Sequence, residues 1–186
     1  MNIAHIEEQS FIYGPGCRFV IWVQGCSIHC KGCWNKEMWS FGKRHLFSVQ
    51  ELVGLISKAS VEGITILGGE PLDQFDEVYS LCAECQKKGF STMVFTGYEI
   101  EEINNSRMSA IKSVSDILIT GRYVEKLRTI DMQWIGSTNQ QIHFISEKYK
   151  DYELDNGNYI EITINDSGQS SILGFPETKI LNSIIE

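Results

Sequence analysis

The sequence lacks an excess of positive charge, and this excludes some classes of partner. Its 186 residues include 16 lysines and arginines against 24 aspartates and glutamates, which gives a net charge of -8. A general nucleic-acid binder needs a basic surface that displaces counterions, so we expect no nucleic-acid partner. No basic run of the kind that binds anionic membranes is present, so we expect no membrane partner.

Targeting and membrane-spanning patterns are also missing. Residues 1–16 do not show the charged and then apolar pattern of a secretory signal. No apolar stretch approaches the roughly 18 residues that a spanning helix needs. We therefore expect a cytoplasmic protein, in which thiols stay reduced. Its six cysteines are then metal ligands, catalytic groups or core residues rather than disulfides.

Apolar runs typical of strands alternate with helical patterns through most of the chain. The strand-like runs cover residues 18–24, 63–70, 90–98, 115–121 and 140–146. Helical patterns cover residues 48–59 and 72–89, and a third helix is predicted to begin at residue 99. Nearly continuous apolar strands separated by helices indicate a mostly parallel sheet covered by helices, and hence an α/β fold.

The C-terminal part has a different pattern. Residues 158–164 and 169–175 are strand-like and flank the turn signal NDSG, which predicts a β-hairpin. We therefore predict a core domain at residues 1–148 and a C-terminal β-hairpin extension at residues 149–186.

Three cysteines, Cys26, Cys30 and Cys33, lie within eight residues directly after the first predicted strand. Cysteine thiolates bind iron–sulfur clusters, zinc or copper(I), and also act as nucleophiles. A structural zinc site usually has four ligands, and the fourth could be His29, His45 or a distant cysteine. A four-iron cluster held by three thiolates instead leaves one iron for a substrate or cofactor. The spacing favours the cluster over zinc and leaves both possible.

Other chemically useful residues follow the later strands. Since the carboxyl ends of parallel strands meet at one edge of a sheet, the motifs GGE, TGY and TGRY should share one site with the cysteines. Gly68 and Gly69 allow the backbone to approach a ligand closely. On its own, Glu70 is expected to favour the N-terminus of the following helix.

Several motifs together carry a family resemblance. Cys26-x3-Cys30-x2-Cys33 resembles the signature of the radical S-adenosylmethionine (radical SAM) enzymes. The segment YGPGCRFVIWVQGCSIHCKGCWN resembles the start of the activating enzymes of glycyl-radical proteins, in particular those of anaerobic ribonucleotide reductases. Further matching segments run in family order over about residues 11 to 145: GITILGGEPLDQ, VFTGYEIEEI, DILITGRYVEKLR and WIGSTNQQI.

The resemblance implies a fold and a reaction. The fold is a partial (β/α)6 radical SAM barrel, and the three cysteines hold a [4Fe–4S] cluster whose open iron is chelated by SAM. One electron from the cluster cleaves SAM to methionine and a 5′-deoxyadenosyl radical, which abstracts a hydrogen atom. The implied partners are a larger glycyl-radical protein, such as anaerobic ribonucleotide reductase, and a flavodoxin- or ferredoxin-type electron donor.

The resemblance also implies residues that bind SAM. The family has an aromatic residue near the adenine just before the third cysteine, where this chain has Gly32. Trp34 either compensates by stacking or packs in the core. Thr96 ends the third strand and could meet the methionine or ribose part of SAM. Glu70 is implied to accept a charge-assisted hydrogen bond from the SAM ammonium. The candidates from the GGE and GSTNQQ segments are Gly68, Gly69, Glu70, Gly136, Ser137 and Asn139.

Two other functions stay open at this point. One is a radical SAM enzyme that modifies a small molecule or peptide, of the deazapurine-forming or peptide-modifying type. The other is a non-enzymatic zinc- or cluster-binding module. A second C-x2-C pair, Cys82 and Cys85, lies at helical spacing on the face of a predicted helix and is expected to pack in the core.

Overall fold

The computed structural model describes residues 1–157, 159–164, 167–168 and 170–175. A seven-stranded sheet has the strand order β3-β1-β2-β4-β5-β6-β7. Its strands are β1 (Asn2–Ser10), β2 (Arg18–Val23), β3 (His45–Leu46), β4 (Gly63–Gly68), β5 (Ser91–Phe95), β6 (Ile117–Thr120) and β7 (Gln141–Phe144). The four central strands, β2, β4, β5 and β6, are parallel, and the outer strands are antiparallel to their neighbours.

The central strands are parallel and buried because their residues are apolar on both faces. In-register pairs such as Val20 with Thr65 and Ile64 with Thr92 align the carboxyl ends of the strands at one edge. The α/β fold with a mostly parallel sheet is therefore confirmed. Strand β1, which pairs with β2, was absent from the prediction because its alternation is broken by bulges after Ile3 and Glu7.

Three α-helices follow strands of the sheet: α1 (Val49–Ile56), α2 (Phe75–Lys87) and α3 (Asn105–Ser113). Helix α1 begins with a capping box, in which Ser48 Oγ accepts from the Glu51 amide and Glu51 accepts from the Ser48 amide. The prediction of a helix from residue 99 is wrong in its boundary. Residues Ile100–Glu102 form only a 3-10 turn, and the helix begins after Asn104, whose side chain accepts from the Arg107 amide at 2.9 Å.

The three helices pack on the sheet in one apolar cluster. Cys82 and Cys85 of α2 are fully buried in this cluster, which confirms their predicted core packing. Burial raises the pKa of the Cys85 thiol to about 12, so this thiol is neutral and unreactive near pH 7. The (β/α)6 barrel is not confirmed, because the described residues contain four parallel strands and three α-helices. No described helix is both long and apolar enough to cross a membrane.

The predicted C-terminal hairpin is present as a separate two-stranded sheet of β8 (Ile160–Ile164) and β9 (Ser170–Gly174). It contacts the beginning of the chain. The Ser10 hydroxyl donates to Glu161 at 2.6 Å, and the Gly174 amide donates to the Tyr13 hydroxyl at 2.9 Å. The boundary at residue 148 between two domains stays a prediction.

Candidate active site

A cavity of about 320 Å³ lies at the carboxyl ends of the parallel strands. Its walls come from the cysteine loop after β2 and from the residues after β4, β5 and β6. The predicted site residues that line it are Cys26, Cys30, Cys33, Trp34, Gly68, Gly69, Glu70, Thr96 and Gly136. The volume lies within the range of roughly 300–1,000 Å³ that is usual for small-molecule sites.

The cysteine loop leaves β2 through Gly25, whose φ of +107° favours glycine. The neighbouring segment fixes the start of the loop, since the Gly25 amide donates to Met38 O at 2.8 Å and the Cys26 amide to Trp39 O at 3.1 Å. His29, in the left-handed region with φ +53°, stacks on the Trp39 ring at a centroid distance of 4.7 Å. The loop is thus shaped by packing against the chain that follows it.

The surroundings of Cys26 and Cys30 act on their thiol pKa values in two opposite directions. Burial raises the pKa of both Cys26 and Cys30, which disfavours their thiolates. Backbone N–H groups lower these pKa values: those of Ile28 and His29 donate to the Cys26 sulfur, and that of Tyr123 donates to the Cys30 sulfur. These donors suit sulfur that is bound to iron as thiolate. Among the described residues, no group of three or more His, Cys, Asp or Glu side chains is arranged to hold a single metal ion.

A second contact fixes the loop just after Cys26, and it was absent from the prediction. The Ser27 amide and hydroxyl donate to the two carboxylate oxygens of Asp73 at 2.7 and 2.9 Å. The Ser27 oxygen also lies 2.8 Å from the Tyr98 hydroxyl. Asp73 and Tyr98 follow β4 and β5, so residues from two strand ends hold the first turn of the loop.

The two glycines of the GGE motif have a packing role in the fold. A Cβ atom on Gly68 would lie 2.6 Å from the Val23 nitrogen, and one on Gly69 would lie 2.1 Å from the Gly25 oxygen. The Glu70 amide donates to the same Gly25 oxygen at 2.8 Å. The close approach is therefore between two backbone segments of the chain. Both glycines also line the cavity, and their contact with a ligand stays a prediction.

Glu70 is the buried acid of the site, with only 1% of its surface exposed. Its Oε1 accepts from the Leu72 amide and the Thr96 hydroxyl, each at 2.8 Å, and its Oε2 accepts from the Gly97 amide at 2.8 Å. Burial raises its pKa to about 7, although these three donors lower it. A carboxylate offers about four acceptor positions, so Glu70 caps the following turn and can accept one further donor from the cavity.

The remaining candidates divide into two groups. Trp34 lines the cavity, is 49% exposed and meets Phe175 edge-on at 6.4 Å, so of its two alternatives core packing is excluded and stacking on a ligand stays a prediction. Ser137 and Asn139 do not line the cavity. The Ser137 hydroxyl accepts from the Val124 amide at 3.1 Å, and the Asn139 side chain donates to the Arg122 carbonyl at 2.8 Å. These two residues therefore brace the loop after β6.

Several lining residues were absent from the prediction. They include Tyr123 and Gln140 around Gly136, and Tyr159 and Phe175 of the C-terminal hairpin. Tyr123 belongs to the TGRY motif at the end of a predicted strand, so its place at the site could have been predicted from that position. The hairpin residues carried no comparable signal, because nothing in their local sequence says where the hairpin packs.

Comparison with known proteins adds an independent finding. Residues 12–143 match the family described as 4Fe-4S single cluster domain. The chain is similar to the anaerobic ribonucleoside-triphosphate reductase-activating protein of Enterobacteria phage T4, with 37% identity over 149 residues that cover 76% of this chain and 93% of that protein. The same-named protein of Escherichia coli (strain K12) is 29% identical over 156 residues, covering 78% of this chain and 99% of its own.

The protein of that name from Haemophilus influenzae is 30% identical over 154 residues, which cover 77% of this chain and 97% of that protein. Among solved structures, QueE from Escherichia coli matches with a TM-score of 0.41 and 20% identity, over 51% of each chain.

Proposed function

We propose a function for this chain from its family, since it belongs to the 4Fe-4S single cluster domain family and to the anaerobic ribonucleoside-triphosphate reductase-activating proteins. It is a radical SAM activase that generates a glycyl radical on a partner enzyme, and its partner is an anaerobic ribonucleotide reductase. When bound, the [4Fe–4S] cluster supplies one electron to SAM, and the cleavage gives methionine and a 5′-deoxyadenosyl radical that abstracts the hydrogen atom.

One observation carries this proposal. Three cysteine thiols from the loop after β2 and the buried Glu70 carboxyl group after β4 line a single cavity at the carboxyl edge of the sheet. Cys26, Cys30 and Cys33 hold the cluster through their thiolates, and no fourth cysteine lines the described cavity. The described cavity would therefore supply three ligands to a four-iron cluster and would leave one iron for SAM.

The other residues of the chain orient SAM. Glu70 accepts a hydrogen bond from its ammonium group, and Thr96 and the Gly97 amide hold the carboxylate in place for this contact. Trp34, at the exposed part of the cavity wall, stacks on the adenine. Gly68, Gly69 and Gly136 contribute backbone surface to the wall. Ser137 and Asn139 act indirectly, through the loop that they brace.

The setting of the reaction completes the proposal. The sheet is a shortened form of the (β/α)6 radical SAM barrel, residues 1–148 are the catalytic domain, and residues 149–186 are an extension. The electron donor is of the flavodoxin or ferredoxin type. The location that we propose is the cytoplasm, where thiols stay reduced.

The test is anaerobic reconstitution with iron and sulfide, followed by three measurements. We expect about four irons and four sulfides per chain on one cluster, 5′-deoxyadenosine on reduction with SAM, and the electron paramagnetic resonance doublet of a glycyl radical when the reductase is added. Deoxyadenosine without a glycyl radical on the reductase would indicate a small-molecule or peptide substrate. A chain saturated by one zinc ion would exclude the proposal.

A further inference from the structure

A basic and partly apolar surface lies beside the cysteine loop. It comprises Lys31, Lys36, Lys43, Arg44, Phe41 and Leu46, and we call it the basic face. All six residues are exposed, and Phe41 and Leu46 each expose 60% of their surface. Residues 29–46 contain four lysines and arginines and one acid, Glu37, in a chain whose net charge is -8. The segment that carries the face is thus positive in its own sequence, within an acidic chain.

The cations of the basic face have no ion-pair partner within the described part of the chain. Some exposed cations elsewhere are paired, as Lys87 is with Glu84 and Lys150 with Glu147, each at 2.6 Å, so the face differs from the rest of the surface in the number of cations on one short segment. Four unpaired cations around two large apolar side chains resemble the composition of a binding surface, with an apolar centre and a polar rim.

The inner side of residues 29–46 contacts Cys26, the first of the three predicted cluster ligands. The Cys26 amide donates to Trp39 O, and Phe41 packs so closely on the loop that a Cβ on Gly25 would lie 2.8 Å from its ring. None of the six residues of the basic face lines the cavity. A protein bound to this face would therefore lie beside Cys26 without entering the site where SAM and the partner's glycine must meet.

We propose that the basic face is the docking surface of an acidic one-electron carrier protein. The proposal rests on the proposed function, which requires one electron per SAM cleaved from outside the chain. In this step the carrier is oxidised by one electron and the cluster is reduced by one, and no bond or proton is transferred. Complementary charge steers the carrier to the face, and the small apolar centre suits the brief contacts of electron transfer.

Charge reversal on the face tests the proposal. The variant is Lys36→Glu with Lys43→Glu, and the matched control is Lys58→Glu with Lys88→Glu. All four lysines are exposed, and the control pair follows α1 and α2, next to the amino ends of the strands. Reduced flavodoxin, an acidic carrier, is mixed with the full-length reconstituted protein, and loss of cluster absorbance gives the second-order rate.

We expect the face variant to be reduced at least about tenfold more slowly at low salt, and this difference to shrink as added salt shortens the Debye length. The control should stay within about twofold of the wild type, and dithionite should reduce all three proteins alike. Calorimetric binding of oxidised flavodoxin gives a second measurement that does not depend on the cluster's reduction.

Three results would overturn the proposal. Equal rates and affinities in all three proteins would show that the carrier binds elsewhere, and equal losses in the two variants would show only an effect of net charge. A face variant that accepts electrons normally but no longer activates the reductase would assign the face to the reductase instead. Failure of the proposed function is distinct, because a protein that cleaves no SAM with dithionite fails before any carrier is added.

Discussion

Glu70 is expected to make SAM binding depend on pH. Its pKa is raised to about 7, so its ionised fraction falls from about 0.9 at pH 8 to about 0.1 at pH 6, and the affinity for SAM should weaken roughly tenfold over this range. The Glu70 carboxylate must be ionised to accept a charge-assisted hydrogen bond from the ammonium of SAM. Burial raises its pKa above the usual 4.5, so affinity is lost as the pH falls through 7 rather than through 4.5.

The variant Glu70→Gln separates this effect from other titrations. Removing the charge should weaken SAM binding by roughly 10- to 150-fold, which corresponds to the loss of about 1.5–3 kcal/mol for a hydrogen bond to a charged group. The variant should also lose the pH dependence. Asp76→Asn, at an exposed position on α2, is the control and should behave like the wild type.

The assay is anaerobic equilibrium dialysis of SAM against the reconstituted protein between pH 6 and 8, with iron content measured at each pH to exclude cluster loss. A wild-type affinity that does not change over this range would refute the assignment. So would a Glu70→Gln protein that keeps the wild-type slope, since the titrating group would then lie elsewhere.

Three further outcomes are expected. Cys30→Ala should abolish SAM cleavage whereas Cys82→Ala should keep it, and cleavage retained by the first variant would contradict the ligand assignment. Asp73→Ala removes two hydrogen bonds to Ser27, which are worth about 1–3 kcal/mol together, so the cysteine loop should hold its cluster less firmly. The reconstituted variant should lose iron faster than the wild type on buffer exchange. Equal iron retention would show that the loop does not need this anchor. Gly69→Ala places a methyl group 2.1 Å from a backbone oxygen, so its melting temperature should fall clearly, and an unchanged value would argue against this packing.

The parallel part of the sheet and the edge that carries the site were predictable from the sequence. Apolar strands such as residues 63–68 signal burial on both faces, and the residues that follow parallel strands must meet at one edge. The grouping of the three cysteines with Glu70 and Thr96 was predicted on this basis, and the cavity contains all five residues.

Contacts between distant segments were beyond local pattern. Ser27 meets Asp73 across 46 residues, and no periodicity or turn signal relates them. Arg18 begins an apolar strand yet is fully buried, because the Thr65 and Ser91 hydroxyls accept from its guanidinium at 3.2 and 2.5 Å. A buried cation is uncommon, and only the neighbouring strands reveal the acceptors that allow it.

The C-terminal hairpin has a consequence for the order in which the site is completed during synthesis. Its anchors, the Tyr13 and Ser10 hydroxyls, emerge from the ribosome early, whereas their partners Gly174 and Glu161 emerge about 150 residues later. Until then the cavity lacks the wall formed by Tyr159 and Phe175. A chain whose core has folded before its hairpin docks would therefore present the three thiols through a wider entrance than the complete fold does.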